Sequence, residues 1–99
     1  MTDAELDRWW PDLGTVVTEL RRADQPAVAD SLVEAVRAGT TSSEILGGVG
    51  AVLRDRRTLR SRLSDSAARA WDTVMADVDR AFPASRPVQW LDRPTKRSN

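Results

Sequence analysis

Gly39-Thr40-Thr41-Ser42-Ser43-Glu44-Ile45-Leu46-Gly47-Gly48-Val49-Gly50-Ala51-Val52-Leu53 is the stretch whose reading decides the fold. Thr41 and Glu44 stand three residues apart, the spacing of a capping box, in which the threonine oxygen and the glutamate carboxylate satisfy free N–H groups at a helix start. Ile45, Leu46, Val49, Val52 and Leu53 follow at i, i+1, i+4, i+7 and i+8, which places them along one helical face. Gly47, Gly48 and Gly50 interrupt good helix formers, each at a cost of roughly 1 kcal/mol relative to alanine. A helix that carries three such residues needs a return. Close approach of neighbouring backbones supplies one, and a ligand lying on bare backbone is the competing reading. No Gly-Lys-Ser/Thr follows, so a phosphate loop is excluded. The expectation is a central scaffold helix with Gly47, Gly48 and Gly50 as close-packing positions.

The helix is expected to run on through Arg54-Asp55-Arg56-Arg57-Thr58-Leu59-Arg60-Ser61-Arg62, because Leu59 and Leu63 prolong its stripe. On its N-terminal side, Val28, Leu32, Ala35 and Val36 define another amphipathic helix. Asp24 is its expected N-cap, Pro26 its first turn, and Gly39 a left-handed C-terminal stop. Further back, Thr2 and Glu5 form a first capping box. Leu6, Trp9 or Trp10, Leu13, Val16, Val17 and Leu20 recur at helical spacing, but Pro11 removes an N–H and disfavours helix at Trp10. A short helix handing over to a second at Pro11 is the favoured reading. Adjacent Trp9 and Trp10 cannot both face one core, so one of them is a candidate for meeting a partner. Beyond the arginines, Ser64 caps a last helix whose apolar face is Ala67, Ala68, Trp71, Val74, Met75, Val78 and Phe82.

These signals describe an all-α protein, a compact antiparallel bundle of four to five helices at about 3–10, 12–23, 26–38, 42–62 and 65–82. Residues 1–82 form one helical domain, and 83–99, punctuated by Pro83, Pro87 and Pro94, an irregular and partly mobile tail. In that tail Val88, Trp90 and Leu91 are expected either to fold back on the bundle or to serve as a short motif for a partner.

Composition removes most catalytic chemistry. The 99 residues include no histidine and no cysteine, so the usual general base, the usual metal ligand and any thiolate site are missing. A serine nucleophile would have only Lys96 as a basic neighbour in type. The carboxylate pairs closest to metal spacing, Asp3 with Asp7 and Asp72 with Asp77 or Asp79, lie on polar faces or at helix starts. No cofactor, no metal site and no enzymatic activity are expected. No apolar run reaches membrane-spanning length, and Met1-Thr2-Asp3-Ala4-Glu5 is acidic where a signal peptide would be basic; the expected location is the cytoplasm.

Charge is balanced at fifteen acidic and fifteen basic side chains, yet residues 1–53 carry −5 and residues 54–99 carry +5. Pairing between the halves inside the fold is the plain expectation; opposite faces for different partners is the other. Arg54, Arg56, Arg57, Arg60 and Arg62 place five guanidinium groups in nine residues, a match for phosphate or carboxylate and a candidate anion or nucleic-acid site. Ala35, Gly39 and Ile45 have helix-turn-helix spacing, but the would-be reading helix offers serines, glycines and an acid instead of Arg, Gln or Asn.

The Gly39-Thr-Thr-Ser-Ser-Glu-Ile-Leu segment resembles a Gly-Ser/Thr-Thr-Ser-x-Glu-Ile-Leu segment in small, all-helical bacterial proteins of unassigned function. The likeness covers about residues 25–82 and continues through an Arg-rich helix and a Leu-containing turn before a final amphipathic helix. The resemblance implies an α-bundle without catalytic residues, and an immunity or accessory role beside toxins. Gly47, Gly48 and Gly50 depart from it by being glycine-rich. The leading expectation is a non-enzymatic module that binds a protein partner or self-associates, with Trp9, Trp10, Trp90 and Leu91 as docking candidates. The alternative is a nucleic-acid-binding regulator that uses Arg54–Arg62.

Overall fold

The computed structural model describes residues 1–82. Five α-helices succeed one another: α1 Asp3–Trp9, α2 Pro11–Arg22, α3 Pro26–Ala38, α4 Ser42–Asp55 and α5 Asp65–Ala81. A 3₁₀ segment, Arg57–Arg62, joins α4 to α5. The described residues contain no strand.

The helix starts obey the local chemistry of the sequence. Thr2 accepts from the Glu5 N–H, and the Glu5 carboxylate accepts from the Thr2 N–H at 2.7 Å, a complete capping box. Pro11 opens α2 as its first residue, where its missing N–H costs nothing, and Trp10 before it leaves helical geometry. Ser64 caps α5 by accepting from the Ala67 N–H. At α4, Thr41 accepts from the Glu44 N–H, but the Glu44 carboxylate reaches one residue further back, to the N–H and hydroxyl of Thr40 at 2.8 and 2.7 Å.

Two expected turn devices are replaced. Asp24 does not cap α3: Gln25 holds that position without a side-chain bond. Asp24 instead takes left-handed backbone, φ 62, and closes α2. Its N–H donates to the Arg21 carbonyl and the Gln25 N–H to the Leu20 carbonyl, the paired bonds of a Schellman turn. Gly39 is extended, φ −75 and ψ 140. Space explains it, since a Cβ there would stand 2.5 Å from Cγ1 of Ile45.

The single helix expected over 42–62 divides after Asp55. Continuing α-geometry past Leu53 would put i+3 and i+4, Arg56 and Arg57, on the face that Leu53 buries. Arg56 leaves helical geometry, and tighter i→i+3 winding carries Leu59 and Leu63 back against the core.

The core is one cluster: Leu6 from α1, Leu13, Val16, Val17 and Leu20 from α2, Val28, Ala29, Leu32 and Val36 from α3, Val49 and Leu53 from α4, and Ala70, Trp71 and Val74 from α5. The hub is α2, which packs on α1, α3 and α5, whereas α4, expected to be central, packs on α3 and α5. The branched aliphatic stripe of α2 is buried along its whole length; α4 buries only Val49, Gly50 and Leu53. Successive helices run antiparallel. The α1–α2 junction, the α4 start and the α5 end therefore meet at one end of the bundle.

Candidate docking groove

At that shared end lies a groove of about 520 Å³ lined by Trp9, Trp10, Ser42, Ile45, Leu46, Asp77, Arg80 and Ala81. Pro11 creates its aromatic wall. By ending α1 at Trp9 it sends the two indoles in different directions: Trp10 packs partly into the core, and Trp9 remains 57% exposed. The rings meet edge to face, centroids 6.1 Å apart and planes at 89°, an arrangement aromatic quadrupoles favour. Ile45 and Leu46 of α4, both half-buried, supply the aliphatic floor. Asp77 and Arg80 form an ion pair at the rim, so the groove's charged edge is internally neutral.

Beside the groove, α5 ends as Phe82 leaves helical geometry, φ −131 and ψ 80, before Pro83, which disfavours helix at the residue preceding it. Its ring lies over Gly47: a Cβ there would stand 3.5 Å from the ring tip. Gly48 faces Ala35 of α3, where a Cβ would be 3.1 Å from the alanine Cβ. Gly50 faces Val78 of α5, with a Cβ 2.6 Å from Cγ1. The three glycines thus serve different neighbours.

The arginine strip is mostly engaged. Arg60 donates two bonds to Asp72, at 2.8 and 2.6 Å, and they hold the Asp72 carboxyl below its ordinary range. Arg54 reaches Asp79 at 3.1 Å, and Arg56 lies 3.5 Å from Asp55. Arg57 and Arg62 have no ion-pair partner among the described residues. Arg54 belongs to α4, whereas Arg57, Arg60 and Arg62 lie in the 3₁₀ segment.

Apart from Asp7, the carboxylates weighed as metal ligands are also committed. Arg21 donates to both Asp3 oxygens, at 2.6 and 3.2 Å, and meets Asp30 at 3.0 Å. Asp72, Asp77 and Asp79 each face an arginine. Among the described residues no group of three or more potential ligands is placed to hold a metal ion.

Among the described residues, no ion pair joins the acidic half to the basic half. Each ion pair among the described residues joins partners within 1–53 or within 54–82. The acidic excess of residues 1–53 is therefore not offset by ion pairs from 54–82.

The sequence marked Trp9 and Trp10 but not their companions Ile45, Leu46, Arg80 and Ala81. Ile45 and Leu46 read simply as core stripe. Trp90 and Leu91 lie outside the described residues, as does the expected tail at 83–99. No helix among the described residues is long and apolar enough to cross a membrane. Comparison with protein-family models, curated proteins and solved structures finds no match to the chain.

Proposed function

We propose that the protein is a non-enzymatic helical interaction module, a regulator, accessory or immunity-like factor that binds a protein partner through the Trp9–Leu46 groove. The observation that carries this reading is the exposed Trp9 ring, held edge to face by Trp10 above an aliphatic floor. A large rigid aromatic at the mouth of an apolar groove is the kind of residue on which binding energy concentrates. The groove suits a peptide segment that presents two bulky apolar side chains, and the surface acidity of residues 1–53 favours basic flanks around them. The absence of histidine and cysteine from the whole chain supports a binding role over turnover.

The test is affinity capture from the native host, with photo-crosslinking from position 46 to place the contact. The expected result is a protein crosslinked at that position whose capture falls at least about tenfold with Trp9→Ala or Leu46→Ser, as loss of an interface anchor does. Equal capture by the wild type and both variants would defeat the reading.

The nucleic-acid alternative draws on Arg57 and Arg62, whose charges have no ion-pair partner among the described residues. It requires a mobility shift that weakens steeply with salt and disappears with Arg57→Ala/Arg62→Ala. The engagement of Arg54, Arg56 and Arg60 with carboxylates favours the protein-partner reading.

A further inference from the structure

The groove and the end of α5 are neighbours. Arg80 and Ala81 line the groove, and Phe82 carries the backbone out of helical geometry with its ring seated on α4 at Gly47. The chain continues as Pro83-Ala84-Ser85-Arg86-Pro87 and then Val88-Gln89-Trp90-Leu91. Resting on the proposed docking role of the groove, we infer that its resident occupant is this chain's own Val88–Leu91 segment, docked in cis through Trp90 and Leu91, which an outside partner must displace.

Reach, direction, chemistry and charge point the same way. Reach is sufficient: seven residues lie between Phe82 and Trp90, and extended chain spans up to about 3.3–3.6 Å per residue. The groove wall formed by Asp77, Arg80 and Ala81 lies within five residues of Phe82 on α5, less than about 8 Å back along a helix. Direction permits it, since α5 ends at Ala81 and Phe82 leaves helical geometry beside the groove. Chemistry matches: Val88, Trp90 and Leu91 are the bulky apolar residues of 83–99, and a groove of about 520 Å³ accepts an indole and a leucyl side chain. Charge is complementary as well. Residues 1–82 hold eleven basic and fourteen acidic side chains, net −3, while residues 83–99 hold four basic and one acidic, net +3.

A short tether gives the segment a high local concentration, in the millimolar range for short flexible linkers, so even a weak contact is populated. The device sets a threshold. A partner gains the groove only by outcompeting Trp90 and Leu91, and its apparent affinity is reduced by the fraction of chains in which the groove is closed.

Isotope-edited NMR on the full chain tests this. The expected result is contacts from the Trp90 indole to Ile45 and Leu46 methyl groups that survive dilution and appear within one molecule in a mixture of labelled and unlabelled chains. A synthetic peptide of residues 83–99 should bind the Trp90→Ala/Leu91→Ala chain at least about tenfold more tightly than the wild type, because in the wild type it competes with the tethered copy. Either a Trp90 indole with the shifts of the isolated peptide, or contacts that arise only between different molecules, would overturn the inference. In both cases crosslinking of an outside partner from position 46 reads the groove's function separately, so failure of the cis contact and failure of the docking groove give different results.

Discussion

Gly50 on α4 lies so close to Val78 on α5 that a Cβ built on it would stand 2.6 Å from Val78 Cγ1. Val78 is fully buried and β-branched, so its methyl has one preferred rotamer and little freedom to withdraw. Overpacking of this kind costs about 1–3 kcal/mol, against a gain of about 1 kcal/mol from replacing helical glycine by alanine. Gly50→Ala should therefore destabilise, by up to about 2 kcal/mol on those magnitudes. Gly47→Ala, with only ordinary contact to Phe82 at 3.5 Å, should stabilise by about 0.5–1 kcal/mol. Gly48→Ala, 3.1 Å from Ala35, falls between the two. Urea unfolding of the three variants gives the order, and Val78→Ala should cost less in the Gly50→Ala background than in the wild type.

Asp24 holds a left-handed conformation, φ 62, that a Cβ disfavours by roughly 1–2 kcal/mol. It also places a carboxylate at the C-terminal end of α2, against the helix dipole. Asp24→Gly should raise stability by about 1 kcal/mol, because it relieves both terms while keeping the Schellman bonds. A higher urea midpoint with an unchanged slope is the expected readout.

Helix positions were legible because the sequence carries their ends: Thr2 with Glu5, Pro11, Thr41 with Glu44, and Ser64. The break after Asp55 was readable too, since Arg56 and Arg57 occupy the positions that a continued stripe would bury. Leu59 and Leu63 obscured it, because their spacing suits an α-helix as well as a tighter turn. The reversal at Asp24 was hidden for a different reason. An Asp before Gln-Pro fits a cap and a left-handed stop equally well, and only the tertiary path of α2 into α3 chooses. The groove could not be read at all from local pattern. Trp9, Leu46 and Ala81 are brought together by the order in which helices pack, with α2 as the hub, and no periodicity within one helix encodes that.

Glu44 accepts bonds from the backbone N–H and the hydroxyl of Thr40, and these hold its carboxyl below the ordinary 4.5. Glu5 is lowered in the same way by the backbone and hydroxyl of Thr2, and Asp72 below 3.8 by Arg60. A carboxylate with a depressed folded pKa stabilises the fold above its unfolded pKa, and that contribution is lost as pH falls through the folded value. Stability should thus be level above about pH 5 and decline through the acid range below 4.5. Carboxyl NMR titration should place Glu44 below an unstructured glutamate. Glu44→Gln should flatten the acid limb of the stability profile.

Trp71 and Trp9 should separate folding from docking. Trp71 is 3% exposed in the core cluster, and truncating a buried aromatic costs about 3–5 kcal/mol. For a domain this small, with total stability of roughly 5–15 kcal/mol, Trp71→Ala should lower the unfolding midpoint severely. Trp9→Ala removes a largely exposed ring that pairs edge to face with Trp10, so it should cost no more than about 1.5 kcal/mol. Its larger effect should fall on partner capture. Thermal unfolding and capture measured on the same samples decide between the two roles. A Trp9→Ala chain as unstable as Trp71→Ala would mean that Trp9 serves the fold, and the groove would lose its anchor.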